Sequence, residues 1–316
     1  MTMPRLPNLV VGGAPKCGTS SLYRWLIAHP SVAGATKKET FFFMDATHSL
    51  ADHERGFHVR GLAGYEDFFP ESAPVIVEAT THYLYQDTAL QMLPKLPSDP
   101  TVAFVLRDPV SRLRSSFQYT KHTLGRMKRE LGFDEYLRAL HEGRPEHVVS
   151  AFHRPRDAQV LLRDVEHGRY VRFLRRWRDA LPPERLTVVT FEDFVAGPRQ
   201  VLSELLARFD VDLSFYSGFS FPSANETYGV GRPKLHRVAR RIGAHMSVAP
   251  RLQSALRSIY WRVQPRRPPP PSDLSKEADE HLRALYAEDT QALADEFNLD
   301  VTSWQARAAR AGDDVA

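Results

Sequence analysis

The chain has 316 residues, of which 42% are hydrophobic and 25% charged, the ordinary composition of a globular protein with one large domain or two small ones. A formal net charge of +4 suits an anionic ligand but is too small to indicate a nucleic-acid-binding protein. Cys17 is the only cysteine, which excludes an intrachain disulfide and a cysteine-rich zinc site and favours a reducing compartment. We find no signal-peptide pattern and no run of about 18 apolar residues, so we expect a cytoplasmic protein.

Short apolar runs alternate with helical patterns along the chain. The runs that favour buried strands are Leu9–Val11, Val75–Val77, Thr101–Leu106 and Leu186–Phe191. A long helical pattern closes the chain, and shorter ones lie at Ser20–His29, Ser111–His122, Tyr170–Leu181 and Arg199–Phe209. This alternation predicts an α/β fold with a central parallel β-sheet flanked by helices, in a single domain over residues 1–316. Ligands of such sheets bind beyond the carboxyl ends of the strands.

The stretch from Gly12 to Leu22, GGAPKCGTSSL, has the composition of an anion-binding loop. Its glycines let the backbone approach a ligand closely. Its three hydroxyl residues stand where a helix begins and free N–H groups favour negative charge. Lys16 adds a positive charge. Gly13 and Gly18 have the spacing of an ATP-binding loop, yet the lysine precedes the second glycine by two positions instead of following it. An ordinary strand-to-helix turn with an exposed lysine is the alternative interpretation.

A second anion site is predicted directly after the strand Thr101–Leu106. The stretch RDPVSRLRSS places Arg107 at the strand end, a helix-starting proline at position 109 and Ser115 two helical turns later. Arg107 offers a fork of donors and Ser115 a hydroxyl, which together suit one phosphate group. A surface pair of Arg107 with Asp108 is the alternative. An ATP-binding site usually has a metal-binding aspartate after a strand, whereas here a cation leads the turn, so we expect no metal.

These two motifs, in this order, resemble those of the sulfotransferases that use 3′-phosphoadenosine 5′-phosphosulfate (PAPS). The family pattern K-x-G-T-[ST], which holds the 5′-phosphosulfate, corresponds to the first loop, and R-[DN]-P-x5-S, which holds the 3′-phosphate, corresponds to the second motif. The resemblance implies a fold similar to the P-loop nucleotide kinases and transfer of a sulfuryl group to a hydroxyl or amine. The nucleotide-binding residues that it implies are Lys16, Cys17, Gly18, Thr19, Ser20, Ser21, Arg107 and Ser115.

The catalytic base that the resemblance implies is Glu39, in the segment KKETFFF. Carbohydrate-type members of the family carry a similar K-E-x-x-F-F segment, whose glutamate takes the acceptor proton, and Lys38 is placed to touch the transferred group. We expect the adjacent phenylalanines to desolvate Glu39 and raise its pKa. The alternative is that Glu39 pairs with Lys37 or Lys38 on the surface and that Phe41–Phe43 simply belong to the core. Aryl- and steroid-type members use a histidine base, for which His82, in EATTHYLY, and His122 are the candidates.

The late part of the chain is basic. Residues 232–271 contain ten lysines and arginines and no acidic residue. By resemblance, the stretch NETYGVGRPKLHR closes over the nucleotide and Arg232 contacts its 3′-phosphate, with an ordinary basic loop as the alternative. Residues 232–267 could surround the nucleotide, attract an acidic acceptor, contact a membrane surface or form a solvated face. We expect no nucleic acid partner because no stacking motif accompanies the charge.

The sequence therefore predicts a bacterial, cytoplasmic, PAPS-dependent sulfotransferase that acts on a small-molecule, carbohydrate or lipid-linked acceptor. It identifies neither the acceptor nor the oligomeric state. One alternative is a Mg-ATP-dependent phosphotransferase, which would require Mg²⁺ and leave Arg107 and Ser115 without a role. Another is a non-catalytic nucleotide-binding module at a membrane surface.

Overall fold

The computed structural model of the protein describes residues 5–128, 130–223, 229–230, 266–267 and 274–305. The strands of its parallel sheet are β1 (Leu9–Gly13), β2 (Val32–Gly34), β3 (Val75–Glu78), β4 (Thr101–Leu106) and β5 (Leu186–Thr190). Their order across the sheet is β2-β3-β1-β4-β5. The three inner strands are buried along their whole length, as expected where helices cover both faces. The predicted α/β fold with a central parallel sheet is therefore confirmed, and β2, too short to give a pattern, is an addition to it.

The helices of the described residues include all those that the sequence patterns predict. They are α1 (Thr19–Leu26), α2 (Phe57–Arg60), α3 (Asp87–Met92), α4 (Pro109–Gln118), α5 (Phe133–His141), α6 (Pro145–Ser150), α7 (Gln159–Leu162), α8 (Tyr170–Ala180), α9 (Phe191–Ala196), α10 (Pro198–Leu206) and α11 (Lys276–Phe297). A π-helical turn, Tyr119–Thr123, continues α4. α11 ends where Asn298 takes a left-handed conformation, with φ 51°. Across the part of the chain that the structure describes, no helix is long and apolar enough to cross a membrane.

The end of β1 positions the loop that follows it. β1 pairs with β4 in parallel, and the register shifts between Val11 and Gly13. The chain then leaves the sheet, and Ala14 N–H donates to Val105 O at 2.8 Å. A Cβ on Gly12 would lie 2.7 Å from the ring of Phe104. This glycine is therefore required by packing inside the sheet, in addition to any role near a ligand.

Two compact units make up the described chain. The first contains the described residues within 1–112, 166–225 and 280–316, and the second those within 113–165 and 226–279. The first unit holds the sheet. In the second, Phe117 packs against Phe133 and Tyr136 with ring centroids 5.1 and 5.2 Å away. A single domain over residues 1–316 stays a prediction.

Candidate active site

The turn between β1 and α1 contains two residues in the left-handed backbone conformation. Lys16 has φ 70° and Gly18 has φ 82°. Glycine adopts this conformation freely, whereas it costs an L-residue about 1–2 kcal/mol. Turns that combine left- and right-handed residues direct successive N–H groups toward one point, where an anion can bind. Because α1 begins at Thr19, directly after the turn, the positive end of the helix dipole adds to this site.

Three cationic side chains act on this turn. Burial and the positive charges of Arg107 and Lys38 together lower the pKa of Lys16 to about 8. Lys38 is itself half-buried and its pKa is lowered by burial. Its Nζ donates to Thr19 Oγ1 at 3.3 Å. Gathering three cations in a partly buried site costs free energy, and an anionic ligand would offset that cost.

Arg107 follows β4 and faces the same turn. Its guanidinium lies 4.9 Å from the centre of the Phe191 ring, and its backbone oxygen accepts a hydrogen bond from Tyr170 Oη at 3.0 Å. Its Nε is buried without a hydrogen-bond partner among the described residues. A buried guanidinium donor of this kind suits a phosphate or sulfate oxygen. The residues present therefore fit an anionic nucleotide.

Asp108 has a structural role that the sequence patterns did not indicate. It is buried, and Ser111 Oγ donates to its Oδ2 at 2.6 Å while Val110 N–H donates to its Oδ1 at 3.3 Å. The carboxylate thus caps the first turn of α4. Arg283 on α11 lies 3.9 Å from the same carboxylate. Within the described ranges, no cluster of three or more histidine, cysteine or acidic side chains could hold a metal ion.

The polar residues of the first loop differ in what they offer a ligand. The Cys17 side chain is buried, its Sγ donates to Pro15 O at 3.6 Å, and burial raises its pKa to about 12. The contact predicted for Cys17 stays a prediction, and it concerns the backbone N–H, because the thiol is buried. Thr19 is buried and its hydroxyl accepts the bond from Lys38. Ser20 is half-buried and Ser21 is buried, both in the first turn of α1.

Glu39 lies within the same unit as the loop and is half-buried. Its Oε1 accepts a hydrogen bond from Thr81 Oγ1 at 2.8 Å and lies 3.6 Å from Lys38 Nζ. Burial raises its pKa, as expected from the sequence, but the charges of Lys38 and His82 and the bonds from Thr81 lower it more. The net direction is down, so the predicted rise in the pKa of Glu39 is wrong. Glu39 is ionised at neutral pH and can accept a proton.

The phenylalanines after Glu39 belong mainly to the core. Phe42 and Phe43 are buried, and their ring centroids lie 4.8 and 4.7 Å from that of Tyr65. The alternative interpretation is therefore correct for these two rings. Phe41 is half-buried, with φ 56°. The environment of Glu39 is set by charged and hydroxyl groups more than by aromatic rings.

His82 acts on Glu39, and three other predicted residues do not belong to the described part of the first unit. His82 is buried, its positive charge lowers the pKa of Glu39, and its ring centroid lies 5.6 Å from that of His48. Ser115, in α4, and His122, in the π-helical turn, belong to the second unit. Arg232 lies outside the described residues, as does the basic segment 232–267 apart from 266–267.

Comparisons with known proteins agree on one family. The model of the family described as "Sulfotransferase domain" matches residues 6–214. The mouse heparan sulfate glucosamine 3-O-sulfotransferase 3B1 is 26% identical over 267 residues, which cover 81% of this chain and 61% of that protein. The human bifunctional heparan sulfate N-deacetylase/N-sulfotransferase 3 is 26% identical over 210 residues, which cover 65% of this chain and 22% of that protein. The chain thus spans less than two thirds of the length of these relatives.

A solved structure agrees in fold. The sulfotransferase from Alicyclobacillus acidocaldarius superposes with a TM-score of 0.58 and 22% identity, over 95% of this chain and 99% of that one. Its likeness supports the expected fold, similar to the P-loop nucleotide kinases. The family-model match covers both nucleotide motifs and the Glu39 segment. This confirms the identification made from the sequence: the chain belongs to the sulfotransferase domain family.

Proposed function

We propose that the protein transfers a sulfuryl group from PAPS to a hydroxyl or amine of a carbohydrate-type acceptor. The observation that carries the proposal is the gathering of Lys16, Lys38 and Arg107 at one turn, with the ionised Glu39 beside Lys38. PAPS, when bound, supplies an activated sulfuryl group on a phosphate leaving group. The heparan sulfate relatives are the basis for proposing a carbohydrate acceptor.

The chain's own residues divide the work of binding and proton transfer. Lys16 and the N–H groups at the start of α1 hold the 5′-phosphosulfate, and Arg107 holds the 3′-phosphate, for which Ser115 and Arg232 stay predictions from the sequence. Glu39 accepts the acceptor proton while a bond forms from the acceptor oxygen or nitrogen to sulfur. The bond from sulfur to the nucleotide phosphate breaks, and its electron pair stays on the phosphate oxygen.

Lys38 connects the phosphosulfate-binding loop with Glu39. Its ammonium contacts both Thr19 Oγ1 and Glu39 Oε1. From this position it stabilises negative charge that develops on the oxygen between phosphorus and sulfur. We also propose a cytoplasmic location, because Cys17 is the single cysteine and the chain forms no internal disulfide, which is usual in a reducing compartment.

The experiment that tests the assignment compares nucleotides by thermal shift. We expect 3′-phosphoadenosine 5′-phosphate to raise the melting temperature, because a ligand that binds the folded state alone stabilises it. ADP and Mg-ATP should do so far less. Arg107→Ala should remove the response to the 3′-phosphorylated nucleotide, while Arg114→Ala, at an exposed position of α4, serves as the matched control. A larger shift with Mg-ATP would instead support a phosphotransferase.

A further inference from the structure

Glu78 is a fully buried carboxyl group at the end of β3. Its Oε1 accepts hydrogen bonds from Thr40 Oγ1 at 2.9 Å, from Thr40 N–H at 3.4 Å and from the Thr80 hydroxyl. Its Oε2 has no hydrogen-bond partner among the described residues. A buried carboxyl with one unsatisfied oxygen destabilises the fold, which suggests that it serves the site.

The two residues that follow Glu78 bind the backbone on both sides of Glu39. Ala79 N–H donates to Lys38 O at 3.1 Å, and Phe41 N–H donates to the Thr80 hydroxyl oxygen at 3.1 Å. The backbone on either side of Glu39 is thus tied to the strand end. The Thr80 hydroxyl that accepts from Phe41 N–H also donates to Glu78. Glu78 therefore holds Thr80 in place for its bond to the Glu39 segment.

Thr40 links the same carboxyl to the core. Its hydroxyl bonds Glu78 and lies 3.1 Å from Tyr83 Oη, which in turn accepts from Phe43 N–H at 3.3 Å. Thr40 is the residue directly after Glu39 and is itself fully buried. The side chain of Glu39 therefore projects from a backbone whose next residue is clamped by Glu78.

Charge connects these groups as well. Burial and, to a smaller extent, the negative charge of Glu39 raise the pKa of Glu78 to about 7, against the hydrogen bonds from Thr80 and Thr40, which lower it. In return, the charge of Glu78 raises the pKa of Lys38. The charge of Glu78 also raises the pKa values of three tyrosines. These are Tyr23 on α1, Tyr65 and Tyr83.

We propose that Glu78 is a positioning residue, which fixes Glu39 and Lys38 for transfer by binding Thr40 and Thr80 from behind the loop. The proposal rests on the proposed function, in which Glu39 takes the acceptor proton. It assigns Glu78 no contact with the nucleotide or the acceptor. Its removal should therefore change turnover and the titration of Glu39 and leave nucleotide binding intact.

The first test compares Glu78→Met with Glu78→Gln in the full chain. Methionine has a similar length but cannot accept from Thr40 and Thr80, whereas the amide oxygen of glutamine still can. We expect kcat to fall about 10- to 100-fold in the methionine variant, since small misplacement of a reacting group has costs of this size, and to stay near the wild-type value in the glutamine variant. The KM for PAPS and the thermal shift with 3′-phosphoadenosine 5′-phosphate should stay within twofold of wild type.

A titration of Glu39 supplies a readout that does not depend on activity. In protein with isotope-labelled glutamate carboxyls, Glu39→Gln identifies the Glu39 signal. Glu78→Met should shift the pKa of Glu39 upward, because a displaced Glu39 loses part of the contacts with Lys38 and Thr81 that lower it. Glu78, whose own pKa is about 7, is uncharged in the pH range where Glu39 titrates. An unchanged titration together with an unchanged kcat would overturn the proposal. If the wild type transferred no sulfuryl group at all, the proposed function would fail while this titration still decided the role of Glu78.

Thr40 provides a second test that keeps the charge of Glu78. Thr40→Val preserves the shape of the side chain and removes the hydroxyl donor, whereas Thr40→Ser preserves the donor. We expect kcat to fall in the valine variant and to recover in the serine variant, with nucleotide binding unchanged in both. Equal kcat in the two variants would show that the bond to Glu78 does not position the base.

Discussion

Lys16 carries a positive charge at neutral pH but loses its proton more easily than an exposed lysine. Burial and the neighbouring cations lower its pKa to about 8. A lysine of this kind is protonated below pH 8 and becomes neutral as the pH rises above that value. The bound nucleotide favours the charged form, so binding takes up a proton in this range.

We therefore expect the affinity for 3′-phosphoadenosine 5′-phosphate to fall as the pH rises above about 8, by at most tenfold per pH unit. The phosphates themselves have finished titrating there, since their second pKa is about 6. Isothermal titration calorimetry in two buffers of different ionisation enthalpy measures both affinity and proton uptake. Lys16→Arg keeps its positive charge across this pH range, so it should show neither the fall in affinity nor the proton uptake.

Lys16 should also matter for turnover. We expect Lys16→Ala to lower kcat/KM by about 100-fold or more, the usual cost of removing one positioned electrostatic contact. An unchanged rate would contradict the role proposed for this lysine.

The pKa of Glu39 is lowered as well and lies below its ordinary value of 4.5, which for a carboxyl group favours the charged form. The stabilising contacts of its carboxylate are present above that value and are lost only as the pH falls through the lowered pKa. We expect Glu39→Gln to abolish transfer and to leave the nucleotide-induced thermal shift nearly intact. The acid limb of the wild-type pH–rate profile should lie below about pH 4.5.

The matching change at the histidine serves as the control for this base. His82→Asn removes the positive charge that lowers the pKa of Glu39 and should move the acid limb upward without abolishing transfer. Full activity of Glu39→Gln, with loss of activity in His82→Asn, would transfer the role of base to the histidine.

At the scale of elements, α4 depends on the cap that Asp108 provides. The carboxylate accepts from Ser111 and Val110 and lies close to Arg283. We expect Asp108→Ala to lower the free energy of unfolding by about 1–2 kcal/mol, the usual cost of losing an N-cap. Asp108→Asn keeps a side-chain acceptor and should lower the free energy of unfolding much less. Urea unfolding measures this free energy for both variants. Equal losses would indicate that the ion pair with Arg283, and not the cap, stabilises the helix start.

The elements next to the nucleotide motifs could be predicted because each has a strong local pattern. β4 is a continuous apolar run, and α4 begins at a proline after it. β2 could not be predicted because Val32–Gly34 is held by pairing with β3 and has no pattern of its own. The end of α11 at Asn298 depends on one left-handed residue, whereas the sequence shows helical periodicity beyond it.

At the scale of the whole molecule, the parallel sheet explains why residues far apart in sequence share one site. β1, β3 and β4 are neighbours, so the loops after them bring together Lys16, Thr81 and Arg107. This arrangement could be predicted in outline from the position of each motif after a strand. The contacts could not, because the bonds from Lys38 to Thr19 and from Thr81 to Glu39 join segments 19 and 42 residues apart.

The direction of the pKa shift at Glu39 shows the same limit in physical terms. Local sequence suggested desolvation by phenylalanines, but Phe42 and Phe43 turn into the core toward Tyr65. The charges that decide the shift come from Lys38, which is adjacent, and from His82, which the fold brings near. A pKa is a property of the folded surroundings, and only part of those surroundings is local in sequence.

The ionised state of Glu39 also constrains the timing of the chemistry. A carboxylate of lowered pKa is a weak base, and an alcohol is a far weaker acid than the carboxyl group it would create. Glu39 therefore cannot strip the proton from a resting hydroxyl before the sulfur moves. In the proposed reaction the proton would therefore leave only as the oxygen bonds to sulfur and becomes acidic, so both transfers would belong to a single concerted event. An amine acceptor would have to arrive uncharged, which ties its reactivity to its own basicity.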